Sequence, residues 1–128
     1  MDVRIFVVED VRQMCAALAE LFESLPGFRI VAAATTEAEA NLWLDEHPGG
    51  WDLAVVDLVL QQGSGMGVVA RCDAQPVRGK VVVFSAYASP AVYDRCLELG
   101  ADAVIRKDDT AALLAFCRAL SDRENSGP

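Results

Sequence analysis

The chain has 128 residues, 53% of them hydrophobic, and a formal charge of −8 from 19 acidic and 11 basic residues. That length fits one domain with an ordinary core, and the apolar content excludes a disordered chain. The acidic balance disfavours direct binding to nucleic acid or to an anionic membrane surface.

Val3 to Val8 is a short run rich in β-branched residues and reads as a strand. Its apolar part is stopped at once by Glu9 and Asp10. It is too short for a secretory core or a membrane span, so a cytoplasmic location is expected. Met14, Leu18, Leu21, Phe22 and Leu25 recur at helical spacing until Pro26-Gly27. Phe28 to Ala34 is a second strand. Thr36 with Glu39 is a capping-box pattern for a helix ending near His47-Pro48. Trp51 to Val56 is a third strand, and a loop with Gly63 and Gly65 leads into a helix over Met66 to Cys72.

Lys80 to Phe84 is the fourth strand. Ser89 followed by Pro90 is an N-cap and an N1 proline for a helix that runs to Leu99, with Gly100 at C′. Ala103 to Arg106 is the fifth strand, and Thr110 can cap a last helix through Leu120. The polar residues from Ser121 onwards are expected to fray, so a domain over 1–121 and a flexible tail over 122–128 are expected. The four cysteines lie in apolar helical stretches with no metal or redox spacing, and read as reduced core residues. His47 reads as a surface residue, and Trp43 and Trp51 as packing residues.

Five short apolar strands alternating with five helices predict a three-layer, doubly wound α/β domain with a parallel sheet. The polar residues then fall at strand ends: Glu9 and Asp10 after the first, Asp57 after the third, Ser85 at the end of the fourth, Lys107 after the fifth. With strand order 2-1-3-4-5 these ends border one crevice at the topological switch point. Three converging carboxylates repel one another unless a cation intervenes. Oxygen ligands with no His or Cys suit a hard ion such as Mg²⁺. A hydroxyl and a lysine opposite would bind phosphoryl oxygens, and Asp57 is a carboxylate nucleophile of the aspartyl-phosphate type.

Val7-Val8-Glu9-Asp10, Val55-Val56-Asp57-Leu58 with Gly65 eight residues past Asp57, Val83-Phe84-Ser85-Ala86, and the segment Leu99-Gly100-Ala101-Asp102-Ala103-Val104-Ile105-Arg106-Lys107 occur in order. Together they resemble the receiver domain of bacterial two-component response regulators across nearly the whole chain. The strand order leans partly on this resemblance, since a chemotaxis member of the family is a standard example of it.

The resemblance implies a non-enzymatic phosphorelay module with Asp57 as phosphoacceptor. It implies Asp10 as direct Mg²⁺ ligand, Glu9 acting through a metal-bound water, and the Val59 carbonyl as a further ligand. Ser85 and the Ala86 N–H would grip the phosphoryl group, and Lys107 would pair with it. The water that hydrolyses the acyl phosphate would approach past Val59 and Tyr87. The implied partners are a sensor histidine kinase or phosphotransfer protein and a downstream protein or output domain; a homodimer is left open. Three departures stand out. Val104 occupies the position of an aromatic switch residue, Asp108 replaces a proline, which removes an expected cis bond, and Gln61 replaces another proline. The alternative reading is a degenerate receiver that binds a partner without being phosphorylated. A flavin protein is disfavoured by Glu9 and Asp10 where a phosphate loop would lie, and an aspartyl hydrolase by valine at position 59.

Overall fold

The computed structural model describes residues 2–86 and 88–125, with side chains through Asp122. Ten elements alternate along the chain: β1 (Val3–Val8), α1 (Arg12–Glu23), β2 (Phe28–Ala34), α2 (Glu37–Glu46), β3 (Leu53–Val56), α3 (Gly65–Asp73), β4 (Lys80–Ser85), α4 (Pro90–Glu98), β5 (Ala103–Arg106) and α5 (Thr110–Asn125). The strands form one parallel sheet of order β2-β1-β3-β4-β5. This is the expected architecture.

The three central strands are continuous apolar runs because both of their faces are covered. On one face, Phe6, Val8, Val56 and Val83 pack with Leu44 of α2, Val68 and Cys72 of α3, and Cys96 of α4. On the other, Ile5, Val7, Val55 and Val82 pack with Leu18 and Phe22 of α1 and with Leu113 and Cys117 of α5. Alternate residues of one strand thus feed opposite layers, as the two-residue period requires. Each fully buried Val, Leu or Phe contributes roughly 1.5–3 kcal/mol. The tryptophans pack as expected: Trp51 is buried, and Trp43 stacks between Phe6 and His47 at 4.3 and 4.5 Å. His47 is exposed, with Nδ1 2.8 Å from the Trp43 carbonyl. All four cysteines are free thiols.

The helix starts follow from their caps. Thr36 Oγ1 accepts from the Glu39 N–H at 3.1 Å, while Glu39 reaches back to the Thr35 N–H, one residue earlier than a standard capping box. Ser64 and Ser89 accept from Met66 and Val92. Gly100, at φ 112°, closes the segment after α4.

Two helix expectations need correction. The cap of α5 is Asp109, whose Oδ1 accepts from the Ala112 N–H at 3.1 Å, and Thr110 is already the first helical residue. An aspartate one residue earlier does the capping, which leaves the threonine hydroxyl unneeded. The helix also continues to Asn125, past Leu120. The backbone ladder runs on past the last buried apolar residue, Leu120. In addition, β3 begins at Leu53 rather than Trp51, because the Asp52 carboxylate turns to bind Arg4. Every described peptide bond is trans, including the one before Asp108.

Candidate functional site

Parallel packing carries the ends of β1, β3, β4 and β5 to the same edge of the sheet. Val8 pairs with Val56, and Val56 with Val83. Ser85 pairs with Arg106, and its carbonyl accepts the Lys107 N–H at 2.9 Å. The residues that follow these strands therefore meet without any long loop. A cleft of about 420 Å³ opens there, lined among others by Asp10, Asp57, Val59, Ser85, Ala86 and Lys107. Ser85 is buried, and Glu9 lies beneath, only 2% exposed.

Lys107 reaches across this cleft. Its Nζ donates to Glu9 Oε1 at 2.5 Å and to Asp57 Oδ2 at 3.0 Å. The second oxygen of Glu9 accepts from the Asp10 and Val11 N–H groups at 3.0 and 3.4 Å. Glu9 thus fixes the turn that leads into α1, whose N-cap Val11 offers no side-chain acceptor. Asp57 Oδ1 accepts from the Val59 N–H at 3.3 Å, and Asp10 Oδ2 from the Gln61 N–H at 2.6 Å. Each carboxylate is oriented by a backbone donor.

The electrostatics follow from this crowding. Burial pushes the Glu9 carboxyl above its ordinary range, and neighbouring Asp57 adds to the shift, although Lys107 opposes it. Burial works to lower Lys107, but its bonds to Glu9 and Asp57 prevail and hold the ammonium above its usual value. One oxygen from each of Glu9, Asp10 and Asp57 lies within 4.8 Å of the others. An all-oxygen trio at that spacing fits a hard divalent cation, and Lys107 supplies positive charge to the same carboxylates.

Glu9, Asp10, Asp57, Val59, Ser85, Ala86 and Lys107 are thus gathered in one place. Val104 is not in the cleft: it sits half-buried on β5 opposite Val83, against the core layer of α2, α3 and α4. Tyr87 lies outside the described residues. Sequence reasoning missed the Gln61 N–H as the group that holds Asp10. It acts through its backbone, so no side-chain type could signal it. It also missed Glu37, whose Oε1 accepts the Ser64 N–H at 2.7 Å. The only sequence trace of Glu37 is an acid in the first turn of α2 facing a glycine-rich loop.

Known proteins agree with this geometry. A regulatory protein of Bacillus subtilis, YvfU, described as an uncharacterized transcriptional regulatory protein, is 25% identical over 83% of this chain and 52% of its own length. The chain therefore spans about half the length of that relative. CheY6 of R. sphaeroides, solved in complex with the P1 domain of CheA3, is 28% identical with a TM-score of 0.76, covering 94% of this chain and 97% of that one. A response regulator of Burkholderia pseudomallei, solved with a phosphorylated aspartic acid and a calcium ion, is 25% identical with a TM-score of 0.76, covering 99% and 76%. No helix among the described residues is long and apolar enough to cross a membrane. The sequence pattern of the response regulator receiver domain matches residues 5–118, and the chain belongs to that family, a phosphorelay signalling module.

Proposed function

We propose that Asp57 is the residue that accepts the phosphoryl group, in a Mg²⁺-dependent transfer from the phosphohistidine of a sensor kinase or phosphotransfer protein. The observation that carries this reading is the position of Lys107, bonded to both Glu9 and Asp57 at the edge of a carboxylate trio. Asp10, Asp57 and the Val59 carbonyl would hold the ion directly, with Glu9 acting through a water. Glu9 suits that indirect role because the protein already engages both of its oxygens. Magnesium, when bound, supplies positive charge to the phosphoryl oxygens. An Asp57 oxygen attacks phosphorus as the P–N bond of the donor breaks, its electron pair leaving with the donor's imidazole, and Lys107, Ser85 and the Ala86 N–H stabilise the charge on the phosphoryl oxygens.

The complex of CheY6 with a P1 domain and the phosphorylated aspartate in the Burkholderia protein support this reading by likeness. With Val104 at the switch position, the phosphorylated state is read through the segment from Ser85 to Ser89 and α4 rather than through a swinging ring. The output is a change in protein contacts, to a downstream partner or an output domain, and the charge of −8 speaks against direct contact with nucleic acid.

The test is incubation of the purified protein with acetyl phosphate and Mg²⁺, followed by mass spectrometry. A single phosphoryl increment that maps to Asp57 and vanishes in Asp57→Asn is expected. An Asn variant that still takes up one phosphoryl group per chain refutes the assignment.

A further inference from the structure

The loop between β3 and α3 presents two groups to the cleft, the Val59 backbone and the Gln61 N–H that holds Asp10. Its base is closed by a bridge between Val59 and Ser64, and its buried apolar anchors are Leu58 and Leu60. From the side away from the cleft it is gripped by one residue. Glu37, the first residue of α2, donates its N–H to the Gln62 carbonyl at 3.2 Å and accepts the Ser64 N–H on Oε1 at 2.7 Å. Its side chain lies on two glycines. A Cβ at Gly63 would collide with the Glu37 Cβ, and a Cβ at Gly67 would collide with Oε2. Gly67 lies in the first turn of α3, where alanine would otherwise favour the helix. Space for the Glu37 carboxylate accounts for glycine there.

We infer that Glu37 is a positioning residue for the cation site: by clamping the β3–α3 loop it keeps the Gln61 N–H on Asp10 and the Val59 backbone at the cleft. The two hydrogen bonds of Glu37 fall at Gln62 and Ser64, on either side of Gly63, a residue with left-handed backbone (φ 83°). The Glu37 side chain adds the Ser64 bond to the ties this loop already has, the Val59–Ser64 bridge, buried Leu58 and Leu60, and the Gln61–Asp10 bond. Outer groups that orient the groups around a metal govern affinity although they never touch the ion. This inference rests on the cation site proposed above and adds a residue about 20 positions upstream of the phosphoacceptor, outside every motif that signals the site.

The experiment is a Mg²⁺ titration followed by amide NMR shifts, in the wild type, Glu37→Ala, Glu37→Gln, Gly67→Ala and the Glu37→Ala/Gly67→Ala double variant. Glu37→Ala should raise the Mg²⁺ Kd about tenfold and speed hydrogen exchange at the Ser64 amide. Glu37→Gln keeps an acceptor for Ser64 and should stay near wild type. Gly67→Ala displaces the carboxylate without deleting it, so it should weaken Mg²⁺ binding alone and add nothing in the double variant. A lowered melting temperature with unchanged Kd in Glu37→Ala would reduce Glu37 to a structural brace and overturn the inference. So would a Gln variant as weak as the Ala variant, since the effect would then be charge rather than placement. Absence of Mg²⁺ binding in the wild type would instead overturn the cation site itself, and this inference with it.

Discussion

Lys107 Nζ lies 2.5 Å from Glu9 Oε1, so an ammonium from the end of β5 is seated on a carboxylate that follows β1, across two intervening strands. Both groups are sequestered, at 15% and 2% side-chain exposure. Without a metal this lysine offsets part of the charge of the carboxylate trio, through Glu9 and Asp57. Lys107→Ala should therefore destabilise the metal-free protein by about 1–3 kcal/mol, since Glu9 can relieve part of the loss by taking a proton. The same variant should bind Mg²⁺ more tightly, because a competitor for Glu9 and Asp57 is gone, yet be phosphorylated more slowly. Melting curves with and without Mg²⁺, together with the rate of phosphorylation, check this. Weaker Mg²⁺ binding in the variant would count against the competition.

Asp10→Asn should behave in the opposite sense without metal. It removes one of three crowded charges while retaining an oxygen for the Gln61 N–H, so the metal-free melting temperature should rise. The gain from Mg²⁺ should largely vanish. For the wild type, mass action gives about 1.4 kcal/mol of stabilisation at ten times the Kd. A wild-type melting temperature indifferent to millimolar Mg²⁺ would argue against the metal site.

Val59 stands 72% exposed at the rim of the cleft, two residues past Asp57. Its side chain has no group to orient a water for attack on an acyl phosphate, and positioning is a large part of that chemistry. Val59→Asn should shorten the phosphoryl lifetime several-fold at equal Mg²⁺, measured as decay after the donor is removed. Equal or slower decay in the Asn variant would defeat this view of position 59 and leave the phosphoacceptor assignment standing.

At the opposite end of the sheet, Arg4 donates to both oxygens of Asp52 at 3.0 and 3.1 Å. Burial pushes the Asp52 carboxyl up, but the bonds from the Arg4 side chain and backbone outweigh it and hold the group below its ordinary value of 3.8. The lowered value means that the unfolded chain takes up the proton first. The pair's contribution is therefore complete above the ordinary carboxylate range and is lost as pH falls through and below it. Both side chains are about a third exposed, so the contribution at neutral pH is about 1 kcal/mol or less. Asp52→Asn should flatten the fall in stability below pH 4 in denaturant titrations. An unchanged acid limb would show that the pair does not govern it.

The alternation of strands and helices and the strand-end carboxylates were legible because they depend on side-chain type, apolar runs for covered strands and polar residues where those runs stop, while the sheet order leaned partly on the family resemblance. Helix starts with a hydroxyl cap were legible for the same reason at Thr36 and Ser89, whereas the Ser64 cap lay unread between the two loop glycines. The errors fall where side-chain type is neutral. Asp109 and Thr110 are both competent caps, and only the backbone decides between them. The segment from Ser121 to Asn125 is polar, and a helical turn without apolar residues has the same composition as a frayed tail. The Gln61 N–H was invisible because every residue but proline has one. The proline it lacks relative to the family pattern is what leaves a donor for Asp10.

Three of the four thiols are sealed in the core, and burial pushes those of Cys72 and Cys117 up to about 12. Cys15 is the partly exposed one, and its Sγ donates to the Glu9 carbonyl at 3.4 Å, one turn into α1. In the folded protein an alkylating reagent therefore meets one partly exposed thiol, which burial and the carboxylates of Glu9 and Asp10 hold protonated, so that labelling needs raised pH. A fluorophore attached there needs no engineered cysteine and no removal of native ones, and it would sit beside the backbone of the residue that opens the carboxylate trio.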